Sequence, residues 1–297
     1  MNNRPILELF TKLGKAETDK ITVCYFGPQN SWTSKMLPLS NADIFAQTLT
    51  ANGMNVYTMV NSVDEATITS NNARGDLKDI TQLNALWADL DYKDGALSNV
   101  DMAMNVIEDI SNMLNCRPVA IVHSGHGLQP YWSVEDGQID DYNRAKVAGI
   151  SRRFGQLVQR VSETYGGKVD NVSDLPRVLR APGTINHKDS ANPVPVEVEF
   201  NDNTYAISLD EVIETLESYG FVSDHTTVSE LVTVSPPEDW RVATEDCSWT
   251  LSLVDTIDKA NPKARHPWLV STAIKLYASV RHGCFTEEGF AEAARLV

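Results

Sequence analysis

The chain has 297 residues, of which 42% are hydrophobic and 22% charged, the composition of a soluble globular protein with room for one large domain or two. Its net charge of −15 argues against a protein that coats nucleic acid, because phosphate contacts dominate such binding, so any grip on nucleic acid must be local or lent by a partner. No long apolar run or signal-peptide core is present, and Cys24, Cys116, Cys247 and Cys284 lie far apart without a C-x-x-C pair. Membrane spans, zinc ribbons and a disulfide framework are disfavoured, and a reducing cytoplasm is expected.

Pro5 to Leu13 reads as a short amphipathic helix ended by Gly14, and Ile21 to Phe26 as a strand stopped by Gly27-Pro28. Ser40 or Asn41 can cap a helix over 42–51, and Asn55 to Val60 forms a second strand. The polar stretch 61–82 reads as loop or a partly ordered segment. In Leu86-Trp87-Ala88-Asp89-Leu90-Asp91, apolar residues alternate with Trp87, Asp89 and Asp91, the pattern of a strand. Ser98 and Asp101 resemble a capping box before a helix carrying Val106, Ile107, Ile110, Met113 and Leu114. Val119 to Val122 is a buried-looking strand that runs into the turn at Ser124 to Gly127 and out through Tyr131-Trp132. Asp140 or Asp141 caps a long helix reaching Tyr165, and Lys168-Val169-Asp170 looks like a brief strand. Val194 to Phe200 is another strand, and Ser208 to Glu211 is a capping box opening a helix to Tyr219. Residues 221–246 are polar and acidic with Pro236-Pro237, a linker signature. Beyond it only helical periodicity remains, with Trp268, Val270, Ile274, Tyr277 and Val280 on one helix. Alternating strands and helices followed by helices alone predict a mixed α/β or α+β domain and a small helical one.

Three places can carry chemistry. Asp89 and Asp91 sit at i and i+2 of a strand, so they project from one face with Cα atoms roughly 6.5–7 Å apart. Two carboxylates on an apolar strand repel each other, and an oxygen-liganded cation such as Mg²⁺ or Mn²⁺ removes that penalty. The bland alternative is an Asp at a strand end starting a turn. The turn Ser124-Gly125-His126-Gly127 can present backbone N–H groups to phosphate, or be simply a tight turn. Tyr131 and Trp132 beyond it can stack on bases or fill the core. The third place joins Asp170 and Asp174 to Arg177, Arg180, Asn186 and Lys188. Asp174 and Arg177 at i, i+3 suit a local ion pair, and two arginines with a lysine suit a triphosphate clamp. Nucleotidyl transfer through two cations fits these parts; it needs a third acid, with Asp170 first and Asp174 second.

The chain resembles the catalytic core of the archaeo-eukaryotic primase superfamily, most like the primase–polymerases of phages and plasmids. The resemblance covers about residues 20–200. The family's acid-x-acid pair matches Ala88-Asp89-Leu90-Asp91, and its S-G-x-G-x-H-x-Y-W-like motif matches Ser124 to Trp132. Its hydrophobic-Asp motif matches Val169-Asp170, and an R-x-L-R-x-P-G-T-x-N-x-K segment matches Arg177 to Lys188. One departure stands out: the family histidine that contacts the nucleotide phosphates falls on Gln129, with His126 three residues earlier in the same turn.

The resemblance implies an α+β fold: an α/β-like N-terminal lobe, an RNA-recognition-motif-like sheet bearing the carboxylates, then a small all-α domain. The expected division is a catalytic domain over 1–220, a linker over 221–246 and a helical domain over 247–297, continuing toward a helicase. The expected activity is primer synthesis and extension on a single-stranded DNA template with NTP or dNTP and two Mg²⁺ or Mn²⁺ ions. Ser124, Gly125, His126, Gln129, Arg177, Arg180 and Lys188 would meet the nucleotide. Three rivals share features of the site: a rolling-circle nicking initiator, a single-strand-binding module, and a metal-dependent nuclease. Against the first, His123 and His126, spaced by three, would not share a strand face.

Overall fold

The computed structural model describes residues 4–26, 31–69, 72–93, 95–222, 243–258, 268, 272, 275–280 and 282–295. The chain runs α1 (Pro5–Lys12), β1 (Lys20–Phe26), β2 (Trp32–Pro38), α2 (Ala42–Ala51), β3 (Val56–Met59), β4 (Ser62–Val63), β5 (Ile80–Gln82), β6 (Ala85–Trp87) and β7 (Leu90–Asp91). It continues through α3 (Val100–Leu114), β8 (Ala120–His123), β9 (Gly127–Ser133), α4 (Arg144–Thr164), β10 (Val178–Arg180), β11 (Ile185–Asn186), β12 (Val194–Pro195), β13 (Glu197–Phe200) and α5 (Leu209–Ser218). Residues 1–227 and 228–297 form two compact units.

The first unit holds two antiparallel sheets. One has the order β10-β3-β1-β2. On one of its faces α2 packs against β1 and β3, with the Tyr25 ring edge-on to Phe45 at 6.0 Å. Ile6, Leu9, Phe10 and Leu13 of the first helical segment are buried. The buried Asp43 carboxylate of α2 accepts hydrogen bonds from the Ile6 and Leu7 N–H groups, satisfying donors that a helix start leaves free. The expected α/β-like lobe is therefore built on an antiparallel sheet with its helices on one side. Strand β2 was absent from the sequence reading.

The second sheet has the order β13-β8-β9-β6, with β7 also paired to β9. Its β-α-β-β-α run is that of the expected RNA-recognition-motif-like unit, with α3 against β9 and α4 against α3. Trp132 packs edge-on to Phe154 of α4 at 5.6 Å, so the Trp132 face of β9 is the helix-covered one. Alternation along the strand sends Gln129 and Tyr131 to the opposite face.

Residues 86–91 do not form one unbroken strand. Ala85, Leu86 and Trp87 pair with Ser133, Trp132 and Tyr131, and Leu90 and Asp91 with Leu128 and Gly127, all in one register. That register sets Ala88 opposite Pro130. The Tyr92 N–H donates to the His126 carbonyl, which makes the even-numbered residues the hydrogen-bonded pairs. Pro130 has no N–H to give Ala88, so the ladder breaks there while the side-chain alternation continues.

Helix α3 starts one residue later than the Ser98 reading. Asn99 caps it, accepting from the Met102 N–H, while the Ser208–Glu211 capping box opens α5 as expected. Residues 61–82, read as loop, contain the short pair β4 and β5. Residues 168–170 carry no strand. In the second unit the described helices, Ser248–Asp258, 275–280 and Glu287–Arg295, enclose Ile257, Leu276, Val280, Phe285 and Ala293. Val270, Ile274 and most of the 221–246 stretch lie outside the described residues. All four cysteines are free thiols, and among the described residues no helix is long and apolar enough to cross a membrane.

Two glycine substitutions test this packing in opposite directions. A Cβ on Gly127 would lie 2.9 Å from both Asp91 Oδ1 and the Leu90 carbonyl, whereas one on Gly149, inside α4, meets nothing within 4 Å. Gly127→Ala is expected to destabilise the chain by about 1–3 kcal/mol in urea unfolding. Gly149→Ala should stabilise it by about 0.5–1 kcal/mol in the same measurement.

Candidate active site

The two sheets turn their open faces toward a cleft of about 670 Å³. From the second sheet come Asp89, Asp91 and Gln129, with Ser124 and His126 from the β8–β9 turn and Lys93 just past β7. From the first sheet come Phe26, Trp32, Tyr57 and 178–180; Arg177, Asn186, Lys188 and Asp189 complete the wall.

The shared register puts Asp89 directly across from Gln129 on this face. Gln129 is 4% exposed and both ends of its carboxamide are engaged. Its Nε2 donates to Asp89 Oδ1 at 3.0 Å, and its Oε1 accepts from the Arg180 backbone N–H at 3.1 Å. Gln129 thus ties the sheet with the carboxylates to β10 of the other sheet. Burial raises the Asp89 carboxyl above its ordinary range; the Gln129 hydrogen bond opposes that shift and the neighbouring Asp91 charge adds to it. Asp91 is held by Lys93, whose Nζ lies 2.6 Å from Asp91 Oδ2, and this contact raises the lysine in turn.

Arg180 is buried in β10. Its guanidinium donates to Asn55 Oδ1 and lies 4.7 Å from the centre of the Tyr57 ring. Burial lowers its pKa, while Tyr57, Asp89 and Asp91 pull it back up. Arg177 forms the expected local ion pair with Asp174, and its buried Nε has no hydrogen-bond partner. Lys188 is exposed at the cleft and makes no ion pair among the described residues.

The Gly-rich turn is shaped by the protein's own atoms. Gly127 clears space for Asp91, and Gly125, at φ +95°, faces Val194 with 3.1 Å left for a Cβ. Ser124 closes the hairpin through its N–H and hydroxyl to the Gly127 carbonyl, and buried Asn186 donates to the Ser124 carbonyl. Ser124 and Asn186 therefore hold the turn in place. Tyr131 and Trp132, considered above for base stacking, are 1% and 0% exposed; they are core residues and cannot reach a base.

The structure divides the other expected residues. His126 is exposed at the cleft, whereas His123 lies 3.0 Å from Glu199 on β13. Asp174 faces Arg177 and Arg74. Asp170 is exposed and near enough to Lys93 to influence its charge, but it does not line the cleft. Among the described residues no group of three or more His, Cys, Asp or Glu side chains is placed to hold a metal ion. The Asp89–Asp91 pair does suit one hard divalent cation, since Mg²⁺ is commonly held by one or two carboxylates with substrate phosphates completing its shell. One feature favours this fit: Lys93 already supplies a positive charge to Asp91. Sequence reasoning missed Phe26, Trp32, Tyr57 and Lys93. Lys93 had a signal, standing two residues beyond Asp91.

No protein-family model matches the chain, and no curated protein matches it. Among solved structures, the chain is similar to the primase-polymerase AEP domain of cyanophage S-2L, with TM-score 0.46 and 17% identity, covering 71% of this chain and 96% of that one. It is similar to the catalytic domain of primase RepB' in complex with initiator DNA, with TM-score 0.42 and 14% identity over 73% and 94% of the two chains. Primase RepB' itself gives TM-score 0.45 and 13% identity over 99% and 86%.

Asp89→Asn keeps an acceptor for Gln129 and removes the charge that burial disfavours. Between the ordinary carboxyl pKa and the raised one, the folded chain binds more protons than the unfolded chain, so Asp89 costs stability increasingly as pH rises through that window. The variant should melt a few degrees above the wild type at neutral pH. The gain should vanish below the ordinary carboxyl pKa, as followed by thermal denaturation across pH.

Proposed function

We propose that the chain is a primase-type nucleotidyltransferase that makes and extends primers on single-stranded DNA. The observation that carries the reading is the Asp89–Asp91 pair on one sheet face, inside a cleft that also gathers Lys93, Arg177, Arg180 and Lys188 in a protein of net charge −15. Carboxylates paired with local cations suit a substrate that is both metal-bound and polyanionic.

In this reading Asp89 and Asp91 hold Mg²⁺ or Mn²⁺, which supplies Lewis acidity at the reacting phosphate. Gln129 keeps the Asp89 carboxylate aimed into the cleft. Arg177 and Lys188, both lining the cleft, contact the triphosphate of an NTP or dNTP. The buried Arg180 adds positive potential without leaving Asn55. With a cation at Asp91, Lys93 would be free to meet phosphate oxygens. Preorganised charges of this kind stabilise charge that shifts in the transition state.

The nicking alternative requires two histidines at one centre. Here His123 pairs with Glu199 while His126 lines the cleft, so the pair is divided.

The test is incubation with a single-stranded template, Mn²⁺ or Mg²⁺ and labelled NTPs or dNTPs. Short template-dependent products are expected, reduced about 100- to 1,000-fold by Asp89→Ala or Asp91→Ala. Lys188→Ala should raise KM for the nucleotide more than it changes kcat. A covalent protein–DNA adduct, or template binding without synthesis, would overturn the proposal.

A further inference from the structure

The cationic and acidic groups occupy only part of the cleft. The remainder is an aromatic cluster on the open face of the first sheet, and strand register explains how it forms. Phe26 pairs with Trp32 across β1–β2, Cys24 pairs with Tyr57 across β1–β3, and Tyr57 pairs with Arg180 across β3–β10. Cross-strand partners share a face, and so do residues two apart on one strand. Trp32, Phe26, Tyr57 and Arg180 therefore stand in one row. Phe26 meets Trp32 at 4.9 Å and 67°, and Trp32 meets Tyr57 at 5.7 Å and 49°. The Arg180 guanidinium covers Tyr57 at 4.7 Å and ends the row beside the carboxylates.

Trp32 keeps 38% of its surface exposed, on the edge strand of the sheet, and faces the same cleft as Lys188 and Arg177. A volume of about 670 Å³ suits one small molecule. One end of the cleft offers cations and carboxylates, and the other braced rings. A ligand that fills both carries phosphates at one end and a flat π-system at the other.

We propose that Trp32, braced by Phe26 and Tyr57, stacks on the base of the nucleotide whose phosphates lie at Arg177 and Lys188. The inference rests on the reading of the cleft as a nucleotide site and assigns the base-binding part of it. Stacking accepts any base, because every base has a π-face, so the platform supplies affinity without choosing among bases.

The experiment measures binding of dATP, inorganic tripolyphosphate and a single-stranded oligodeoxynucleotide to the full chain by calorimetry. Trp32→Leu should weaken dATP about tenfold and leave tripolyphosphate and oligodeoxynucleotide binding unchanged. Trp32→Phe, which keeps an aromatic face, should recover most of the loss. Equal effects on dATP and tripolyphosphate, or no effect on either, would overturn the proposal. A loss confined to the oligodeoxynucleotide would overturn it too, by assigning the platform to a template base. Failure of the primase reading is seen separately, as absent primer synthesis by the wild type, and does not alter the binding comparison.

Discussion

The cleft depends on the carboxamide of Gln129. A carboxylate accepts and a backbone N–H donates, so Asp89 on one side and the Arg180 N–H on the other fix which way the amide points. The group is buried, and losing either bond would leave a polar atom unpaired at a cost of about 1–3 kcal/mol. The same side chain sets the carboxylate and links the two sheets across the cleft, above the hydrophobic core they share. In the family the chain resembles, a histidine stands at this place and contacts phosphate. Here the position is spent on the join, which leaves His126, exposed at the cleft, as the imidazole available to a ligand.

The electrostatics follow from that join. Asp89 is drawn out of water, its neighbour Asp91 is balanced by Lys93, and Arg180 is buried beside both. Such an arrangement is unfavourable for folding, and on the proposed reading a cation at the acids and an anion at Arg177 and Lys188 would relieve it. In a chain of net charge −15, Lys93, Arg177, Arg180 and Lys188 are gathered beside the two carboxylates of this cleft.

Much of this was legible in the sequence, because the period of two at residues 86–91 fixes a face whatever the ladder does. The break at Ala88 came from Pro130, forty-two residues on, and no local pattern announces a cross-strand partner. Strand β2 escaped notice because Trp32 to Pro38 alternates weakly, and with it went the pairing of Phe26 with Trp32. In sequence alone the glycines at 125 and 127 stay open between a phosphate-facing turn and a plain tight turn for a similar reason. Their space is taken by Val194 and Asp91, which tertiary structure alone brings there. For Tyr131 and Trp132 the core is the stronger of the two readings, and their burial agrees with it.

The central claim is that Asp89 and Asp91 form a cation site. Titration of the full chain with Mn²⁺, followed by electron paramagnetic resonance of the free ion, tests it most directly, since no substrate or template is needed. The account predicts saturable Mn²⁺ binding to the wild type that is lost in Asp91→Ala and in Asp89→Ala and is competed by Mg²⁺. Binding that survives both substitutions unchanged would contradict it.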